Sequence, residues 1–339
     1  MKTPAVLMTS AAHRRRIAAA GAAAAMFVLA ACSSSGGDSK DPAGAGKESA
    51  STAAAGPVVI EATNGKVTVP AGVKRIVSVS YATGALLDLG VQPVGTSTID
   101  DNNPMELLPS QKEAAGRIEP IGSGIEINIE KVASLKPDLI IVEGATAFDW
   151  GIKKLEGLGV PVLHFGIDKP ADLVNAQEKI ALAVGREAEF KKLKSDYDTK
   201  AAKIKTDYAT KLNAVKWTFA SSYGGGEFLV DTSSSWVGQV LKDAGAQFSA
   251  ASADPKEHEV TYSTEKLDVL ADADIILVPK MAATGEVPQD TKDLDKQPAW
   301  QQLKAVKANK VIPVTYGTTD RYGTSIDVLN QIETILKGL

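Results

Sequence analysis

The sequence offers few combinations of residues that could carry out a reaction. It contains no GxSxG, HExxH, GxxxxGK[ST] or CxxC pattern, the signatures of serine hydrolases, zinc peptidases, phosphate-binding loops and thiol redox sites. Beyond the N-terminal segment the histidines are His164 and His258, which are far apart in sequence and argue against a bare zinc or manganese site. Aromatic residues make up only 5% of the chain, so the few tryptophans and tyrosines are the first places to look for ligand contacts.

Composition and charge indicate a globular chain without a nucleic-acid partner. The 339 residues are 44% hydrophobic and 23% charged, and this length allows two or three domains that each bury a core. The net charge of −4 disfavours binding to nucleic acid, because neutralising phosphates requires a basic face.

The N-terminal segment has the features of an export signal. Residues 1–31 combine four cations and no acid with a short Ala-rich apolar run, which ends in Leu-Ala-Ala before Cys32, the only cysteine. This resembles a bacterial lipobox, whose cysteine is diacylated and becomes the mature N-terminus. A buried free cysteine and a chance match to a signal-peptidase site are the alternatives, and the export route, secretory or twin-arginine, stays open. The polar segment 32–57 is predicted to form a flexible tether.

The rest of the chain alternates short β-rich runs with helical periodicity, which predicts an α/β fold. We divide it into an N-terminal lobe (58–185), a bridging helix (186–213) and a C-terminal lobe (214–339). Apolar residues at steps of three and four over 187–212 favour one continuous helix, with an interrupted pair of helices as the alternative. Strands are predicted at 75–80, 92–95, 138–142, 160–165, 216–221, 228–231, 274–279 and 310–314, and further helices at 82–90, 127–137, 148–159, 171–184, 234–246, 264–272, 298–307 and 325–339.

One local pattern occurs twice, at 126–142 and 261–278. Each copy has a polar helix start, a Glu-Lys pair, an apolar stripe and a strand led by Asp. A duplicated α/β unit on either side of a long helix predicts a protein of two lobes with a cleft between them.

The strings VKRIVSVSYATGALLDLGVQPVG and IGSGIEINIEKVASLKPDLIIV, followed by the long helix, resemble the substrate-binding proteins of iron-siderophore, haem and cobalamin ABC importers. The resemblance runs over most of 58–339 and includes the lipobox. It implies two Rossmann-like α/β lobes bridged by one rigid helix, a ligand in the cleft between them, and docking onto a membrane permease. It implies no enzymatic activity. The alternative from a different functional class, an enzyme, is a surface-anchored α/β hydrolase.

In this family four loops contact the ligand, at strand ends or helix starts, where open α/β sheets place ligands. Arg321 is the leading candidate, because a guanidinium can donate to ligand oxygens, and its alternative is an ordinary surface arginine. For Trp150 and Trp236, the alternative to a ligand contact is a position in the core of a lobe. Tyr223, beside three glycines, either lines the cleft mouth or flanks a turn. The full set of ligand candidates is Tyr81, Phe148, Trp150, Tyr223, Trp236, Tyr316, Arg321 and Tyr322.

The resemblance also implies a docking role for Glu130 and Glu265, which match the glutamates that contact permease arginines in the family. Each lies in the first turn of a predicted helix, after a polar residue. The helix dipole and capping alone favour a carboxylate there, so this local explanation stays open. The repeat favours docking, because two lobes need equivalent exposed acids on one surface.

The ligand that the resemblance implies is a ferric siderophore. A hydroxamate is favoured over a catecholate, because a multiply anionic catecholate implies a basic cleft and the sequence offers only one or two suitable arginines. Haem or cobalamin is the alternative within the family. Iron is expected only inside the siderophore, with no resident metal or cofactor. The expected partners are an ABC permease and, through lipidated Cys32, the outer face of the cell membrane, and the protein is expected to be a monomer.

Overall fold

The computed structural model describes residues 56–98, 107–123, 126–254, 256–317 and 319–339. The predicted signal segment 1–31 and Cys32 lie outside these ranges, as does the predicted tether up to residue 55. Within the described ranges, no helix is both long and apolar enough to cross a membrane.

The N-terminal lobe contains a hairpin, a six-stranded sheet and helices on both faces of that sheet. Its strands are β1 (Val58–Ala62), β2 (Gly65–Val69), β3 (Ile76–Ser80), β4 (Gly95–Thr98), β5 (Glu119–Ser123), β6 (Glu126–Ile127), β7 (Leu139–Gly144) and β8 (Val162–Gly166). Its helices are α1 (Ala82–Asp88), α2 (Lys112–Ala115), α3 (Ile129–Ser134), α4 (Ile152–Glu156) and α5 (Pro170–Ala183), with a 3-10 turn at Pro109–Gln111. The sheet order is β6-β5-β4-β3-β7-β8, and every pair is parallel except β5–β6.

The central strands of this sheet are buried on both faces, as expected for parallel strands covered by helices. Along β7, Ile140 and Val142 join an apolar cluster on one face of the sheet. Leu139 and Ile141 join the cluster on the opposite face, which also contains apolar residues of α1 and α5. Because side chains alternate along a strand, Glu143 lies on the same face as Leu139 and Ile141.

The bridging segment is not one continuous helix, and the single helix predicted over 187–212 is wrong in this respect. Helix α6 (Glu187–Asp207) has 21 residues and a length of about 31 Å, and α7 (Ala209–Ala214) follows it. The break is at Tyr208, whose φ of −114° and ψ of 18° leave the helical region. The predicted apolar stripe is present, with Phe190 and Ile204 buried.

The C-terminal lobe has a mixed sheet. Its strands are β9 (Lys216–Ser221), β10 (Glu227–Asp231), β11 (Gln247–Phe248), β12 (Glu259–Ser263), β13 (Ile275–Pro279) and β14 (Val311–Val314). Its helices are α8 (Trp236–Asp243), α9 (Gln289–Lys292), α10 (Lys304–Lys307) and α11 (Tyr322–Lys337), with 3-10 segments at Ala250–Ser252, Thr264–Leu270, Asp293–Lys296 and Trp300–Gln302. The order is β12-β10-β9-β13-β14; β10 runs antiparallel to both neighbours, and β11 pairs with β9.

Several predicted helices are shorter or tighter than the sequence pattern suggests, and three of them differ most in their backbone. The segment 264–272 forms a 3-10 helix, and 298–307 is interrupted at Leu303, whose backbone is extended. The helix predicted over 148–159 covers only α4, because Gly151 adopts a left-handed conformation (φ 64°) immediately before it. In each case the apolar spacing is correct, but part of the predicted range does not adopt the α-helical backbone.

One apolar core joins the two lobes. It draws residues from both sheets, among them Ile76 of β3 and Ile275 of β13, together with Tyr197 and Ile204 of α6. A smaller cluster lies on the outer side of each lobe. Helix α6 is therefore packed into both lobes, which favours a stiff connection between them.

Candidate ligand-binding cleft

The eight predicted ligand residues differ widely in exposure. Phe148 and Tyr223 are exposed, with 48% and 80% of their surface accessible, and Tyr81 and Trp236 are partly buried. The remaining four are buried, with between 1% and 9% accessible: Trp150, Tyr316, Arg321 and Tyr322. The structure therefore separates residues that a ligand can reach directly from residues that support the fold.

Trp150 belongs to the core of the N-terminal lobe. Its side chain is 1% exposed, and its indole Nε1 donates to the carbonyl oxygen of Ala145 at 3.3 Å. A Cβ at Gly144 would lie 2.4 Å from the Trp150 ring, so only glycine fits beside it. Phe148 packs edge-on against Trp150 with ring centres 5.7 Å apart. The prediction that Trp150 faces a ligand is therefore replaced by its alternative, a core position that supports exposed Phe148.

Arg321 is neither an exposed ligand contact nor an ordinary surface arginine, because its side chain is 1% exposed and paired within the protein. Nη1 donates to both carboxylate oxygens of Asp320, at 2.7 and 2.5 Å. Nη2 donates to Oε1 of Gln111 at 3.0 Å, and Nε lies 3.2 Å from Oδ2 of Asp88. We call Asp88, Gln111, Glu143, Asp320 and Arg321 the Arg321 cluster.

The Arg321 cluster joins the two lobes. Asp88 ends α1 of the N-terminal lobe and accepts from Gln111 Nε2 at 2.6 Å and from the backbone N–H of Gly323, in α11, at 3.1 Å. The guanidinium lies so close to Gly84 of α1 that a Cβ there would be 2.6 Å from it. Because these contacts cross between lobes, they hold the two sheets in one relative position.

Glu143 is the unusual member of this cluster. It is fully buried at the end of β7, and neither carboxylate oxygen has a hydrogen-bond partner within the described ranges. Burial raises the pKa of Glu143 well above its usual value; the negative charge of Asp320 raises this pKa further, and the positive charge of Arg321 lowers it. Burial also raises the pKa of Asp88, against the opposing effect of Arg321. The positive charge of Arg321 thus lies near three buried carboxyl groups, those of Asp88, Glu143 and Asp320.

The buried tyrosines also contribute to the lobe connection. Tyr322 packs against Phe190 and Tyr197 of α6, with ring centres 5.8 and 5.4 Å apart. The hydroxyl of Tyr316 donates to the carbonyl oxygen of Leu107, in the N-terminal lobe, at 3.1 Å. These contacts place both tyrosines in the contact region between lobes and leave little of their surface for a ligand.

A cavity of about 250 Å³ lies in the C-terminal lobe, by the carboxyl ends of β9 and β13. Of the predicted ligand residues it brings together Tyr223 and Trp236, with Phe219 and Met281 as further apolar lining. Ser235 caps α8 through a hydrogen bond from Gly238 N–H at 2.9 Å and so positions Trp236 at the first turn. A second cavity of about 120 Å³ is lined by Trp236, Tyr322 and Arg321.

Two carboxylates of the larger cavity were not among the residues predicted from the sequence. Asp231 of β10 and Glu259 of β12 are direct partners across the antiparallel pair, and both line the cavity. Burial raises the pKa of Asp231 to about 8; the charge of Glu259 adds to this shift, and a hydrogen bond with Ser235 opposes it. Asp231 ends a predicted strand, but β12 was not predicted. The sequence pattern therefore could not predict that Asp231 and Glu259 lie opposite each other.

Glu130 and Glu265 are both exposed at helix starts, as the repeat predicts. Asn128 caps α3 by accepting from Lys131 N–H at 2.9 Å, and Ser263 accepts from Glu265 N–H at 3.3 Å. The first helix is α-helical and the second is a 3-10 helix. Their proposed contact with a permease stays a prediction.

Comparisons with known proteins agree with this architecture. A family model described as "Periplasmic binding protein" matches residues 76–315. The "Putative ABC transporter substrate-binding lipoprotein YhfQ" of Bacillus subtilis (strain 168) is 26% identical over 74% of this chain and 78% of its own. The "Fe(3+)-citrate-binding protein YfmC" of the same organism is 27% identical over 78% and 80%. The siderophore periplasmic binding protein from the fuscachelin gene cluster of Thermobifida fusca superimposes with a TM-score of 0.68, at 29% identity, over 79% of this chain and 98% of that one.

The match covers more than half of the chain and spans both lobes and the helix between them. It confirms the predicted fold class, two α/β lobes connected through a long helix. Proteins of this kind bind solutes and do not transform them, so the hydrolase alternative is set aside. The chain belongs to the periplasmic binding protein family.

Proposed function

We propose that the protein is an extracytoplasmic lipoprotein that captures a ferric siderophore of the hydroxamate type and delivers it to an ABC permease. The iron-related relatives support the ligand class, since one binds ferric citrate by name and the superimposed structure is a siderophore-binding protein. Cys32 would carry the lipid, and Glu130 and Glu265 would contact the permease. Iron would enter only as part of the siderophore.

The observation that carries the choice of a hydroxamate is the small amount of positive charge that the described residues bring to the larger cavity. Lys280 is the basic residue among its lining residues, and Asp231 and Glu259 oppose it. Arg321 is held by carboxylates of the protein itself. Three hydroxamate groups neutralise Fe³⁺, whereas three catecholates leave three negative charges that this cavity could not balance.

The apolar lining suits the outer surface of such a complex. Trp236, Phe219 and Met281 line the cavity, and Tyr223 stands exposed at its edge. Aromatic and thioether side chains provide large, adaptable contact surfaces for a bulky ligand with an apolar shell. Phe148 is the exposed candidate on the N-terminal lobe.

Tryptophan fluorescence tests the proposal. The protein from residue 32 onward, with Cys32→Ser so that no lipid is attached, is titrated with a ferric hydroxamate, a ferric catecholate, haemin and cobalamin, with the iron-free hydroxamate as control. We expect saturable quenching by the ferric hydroxamate, reduced in Trp236→Phe because Trp236 lines the cavity. Tight binding of haemin or cobalamin instead would show that the proposed ligand is wrong. If none of the four compounds bound, the whole proposal would be overturned.

The delivery role is tested separately by uptake of ferric siderophore into cells. Glu130→Ala combined with Glu265→Ala should abolish uptake and leave ligand affinity unchanged, because both residues are exposed at helix starts. The control pair is Glu113→Ala with Glu257→Ala, which removes two other exposed acids. Loss of ligand binding in the first pair, or equal loss of uptake in both pairs, would refute the docking role.

A further inference from the structure

Two carboxyl groups without a basic ion-pair partner in the described ranges line the larger cavity. Asp231 and Glu259 are direct cross-strand partners, a placement that brings their Cβ atoms to about 5 Å. Neither is in an ion pair with a basic side chain of the described ranges, and Lys280 is the one lining residue of opposite sign. Like charges at such a position destabilise a sheet, and burial beside Glu259 raises the pKa of Asp231 to about 8, so its protonated form is favoured at neutral pH. A positively charged ligand group would compensate a second negative charge and so favour the ionised form of Asp231.

A second feature of the cavity is independent of the acids. The indole Nε1 of Trp236 is fully buried and has no hydrogen-bond partner within the described ranges, although Trp236 lines the cavity. A buried donor without a partner costs free energy. Because this nitrogen has almost no accessible surface, the cavity offers a ligand the indole ring beside two carboxyl groups, and not the N–H donor.

The aromatic wall also favours a cation. Trp236 and Tyr223 line the same cavity as the two acids, and indole and phenol faces attract ammonium and guanidinium groups. His258 packs edge-on against Trp236 with ring centres 5.0 Å apart, and it directly precedes Glu259 in the chain. The combination of carboxylates with aromatic faces is suited to a protonated amine and unsuited to a carboxylate or catecholate.

We infer that this cavity selects ferric siderophores that carry a protonated amine, with Asp231 and Glu259 as the groups that bind it. The inference rests on the proposed function and specifies its ligand. The amine would lie between the two carboxylates and the faces of Trp236 and Tyr223, and the neutral ferric hydroxamate centre would occupy the apolar part of the cleft. The charge on the amine, rather than the iron centre, would then distinguish this ligand from similar ones.

The test compares two forms of one ligand. A linear ferric trihydroxamate with a terminal primary amine and the same compound with that amine acetylated differ in a single charge. Both are titrated against the same protein as above, which begins at residue 32 and carries Cys32→Ser. We expect the amine form to bind about tenfold more tightly, the effect of one charge-assisted contact. Equal affinity for both forms would overturn this inference and leave the proposed function intact, whereas binding of neither form would overturn both.

Variants assign the effect to the two acids. Glu259→Gln changes an exposed side chain, and Asp231→Asn a partly buried one, so the first keeps the test valid if the second folds poorly. We expect each to reduce the preference for the amine form over the acetylated form. Glu257→Gln, the same change two residues away, is the control and should retain the preference. A preference that survives in Glu259→Gln and Asp231→Asn alike would refute the assignment.

Discussion

The Arg321 cluster and the larger cavity in the C-terminal lobe both contain several acidic residues, but only in the cluster do the acids have a basic partner within the described part of the protein. In the cluster, the guanidinium is buried and contacts Asp88, Asp320 and Gln111, so its donors are used within the protein. In the cavity, Asp231 and Glu259 face each other across two strands with Lys280 as the lining cation. The first arrangement stabilises a position of the lobes, and the second leaves two carboxyl groups whose ionisation a cationic ligand would favour.

This difference shows why the position of a charged residue in the sequence does not reveal its role. Arg321 follows a strand end, where a ligand donor is expected, yet moving it to a ligand would leave buried carboxyl groups without compensation. Asp231 ends a strand as well, and burial beside Glu259 disfavours its charge. The partners of a charged group, more than its place in the fold, decide whether it is available to a ligand.

The largest expected effect comes from removing the guanidinium. Arg321→Met should lower the free energy of unfolding by about 3–5 kcal/mol, because Asp88 and Asp320 would keep buried charge without a partner. Urea unfolding followed by far-ultraviolet circular dichroism measures the change. Arg117→Met is the control: Arg117 is exposed and paired with Glu113, so it should change stability by less than about 0.5 kcal/mol. If Arg321→Met kept its stability and lost ligand binding, Arg321 would be a ligand contact after all.

A medium effect is expected from the pH dependence of the cavity. The pKa of Asp231 is about 8 in the folded protein and near 3.8 when unfolded, so the unfolded state ionises first as pH rises. Asp231 should therefore lower the free energy of unfolding between about pH 4 and pH 8, with no further change above. Asp231→Asn should remove this contribution, on the order of 1–3 kcal/mol between pH 5 and pH 8.

Urea unfolding of the parent protein and Asp231→Asn at both pH values gives the difference directly. Glu259, His258 and Lys280 are present in both proteins, so the comparison isolates Asp231 together with its coupling to these neighbours. An unchanged pH dependence in Asp231→Asn would show that Asp231 is ionised and compensated in the folded protein. The cavity would then resemble the Arg321 cluster.

The fold class could be predicted from the sequence because it depends on strongly patterned segments. The strand predicted at 216–221 matches β9, and 171–184 differs from α5 by one residue at each end, since long apolar patterns tolerate few alternatives. Segment 298–307 has the same apolar spacing but breaks at Leu303, whose extended backbone the spacing cannot reveal. Periodicity reports which side chains are buried and not where the backbone turns.

The site was less predictable because its properties arise from pairs of residues distant in the chain. Trp236 and Tyr223 could be named from their types alone. The contact of Arg321 with Asp88 joins the two ends of the folded chain, and the pairing of Asp231 with Glu259 depends on β12, which the sequence pattern did not predict. Without knowing those pairings, a sequence cannot show which charges are compensated.

The smallest effect is expected at Glu143, and it tests whether the Arg321 cluster is balanced. Burial raises the pKa of Glu143 well above its usual value, and glutamine resembles the protonated carboxyl group, so at about pH 5 Glu143→Gln should change the free energy of unfolding by less than about 1 kcal/mol. As pH rises, the unfolded state ionises before the folded state, so the parent protein should lose stability relative to the variant. Urea unfolding at about pH 5 and about pH 7 measures both. Asp320→Asn is the contrast: its carboxylate accepts two hydrogen bonds from Arg321, so that loss should be larger. If Glu143→Gln were as damaging as Asp320→Asn at neutral pH, Glu143 would be an ionised partner of Arg321, and the cluster would carry uncompensated charge like the cavity.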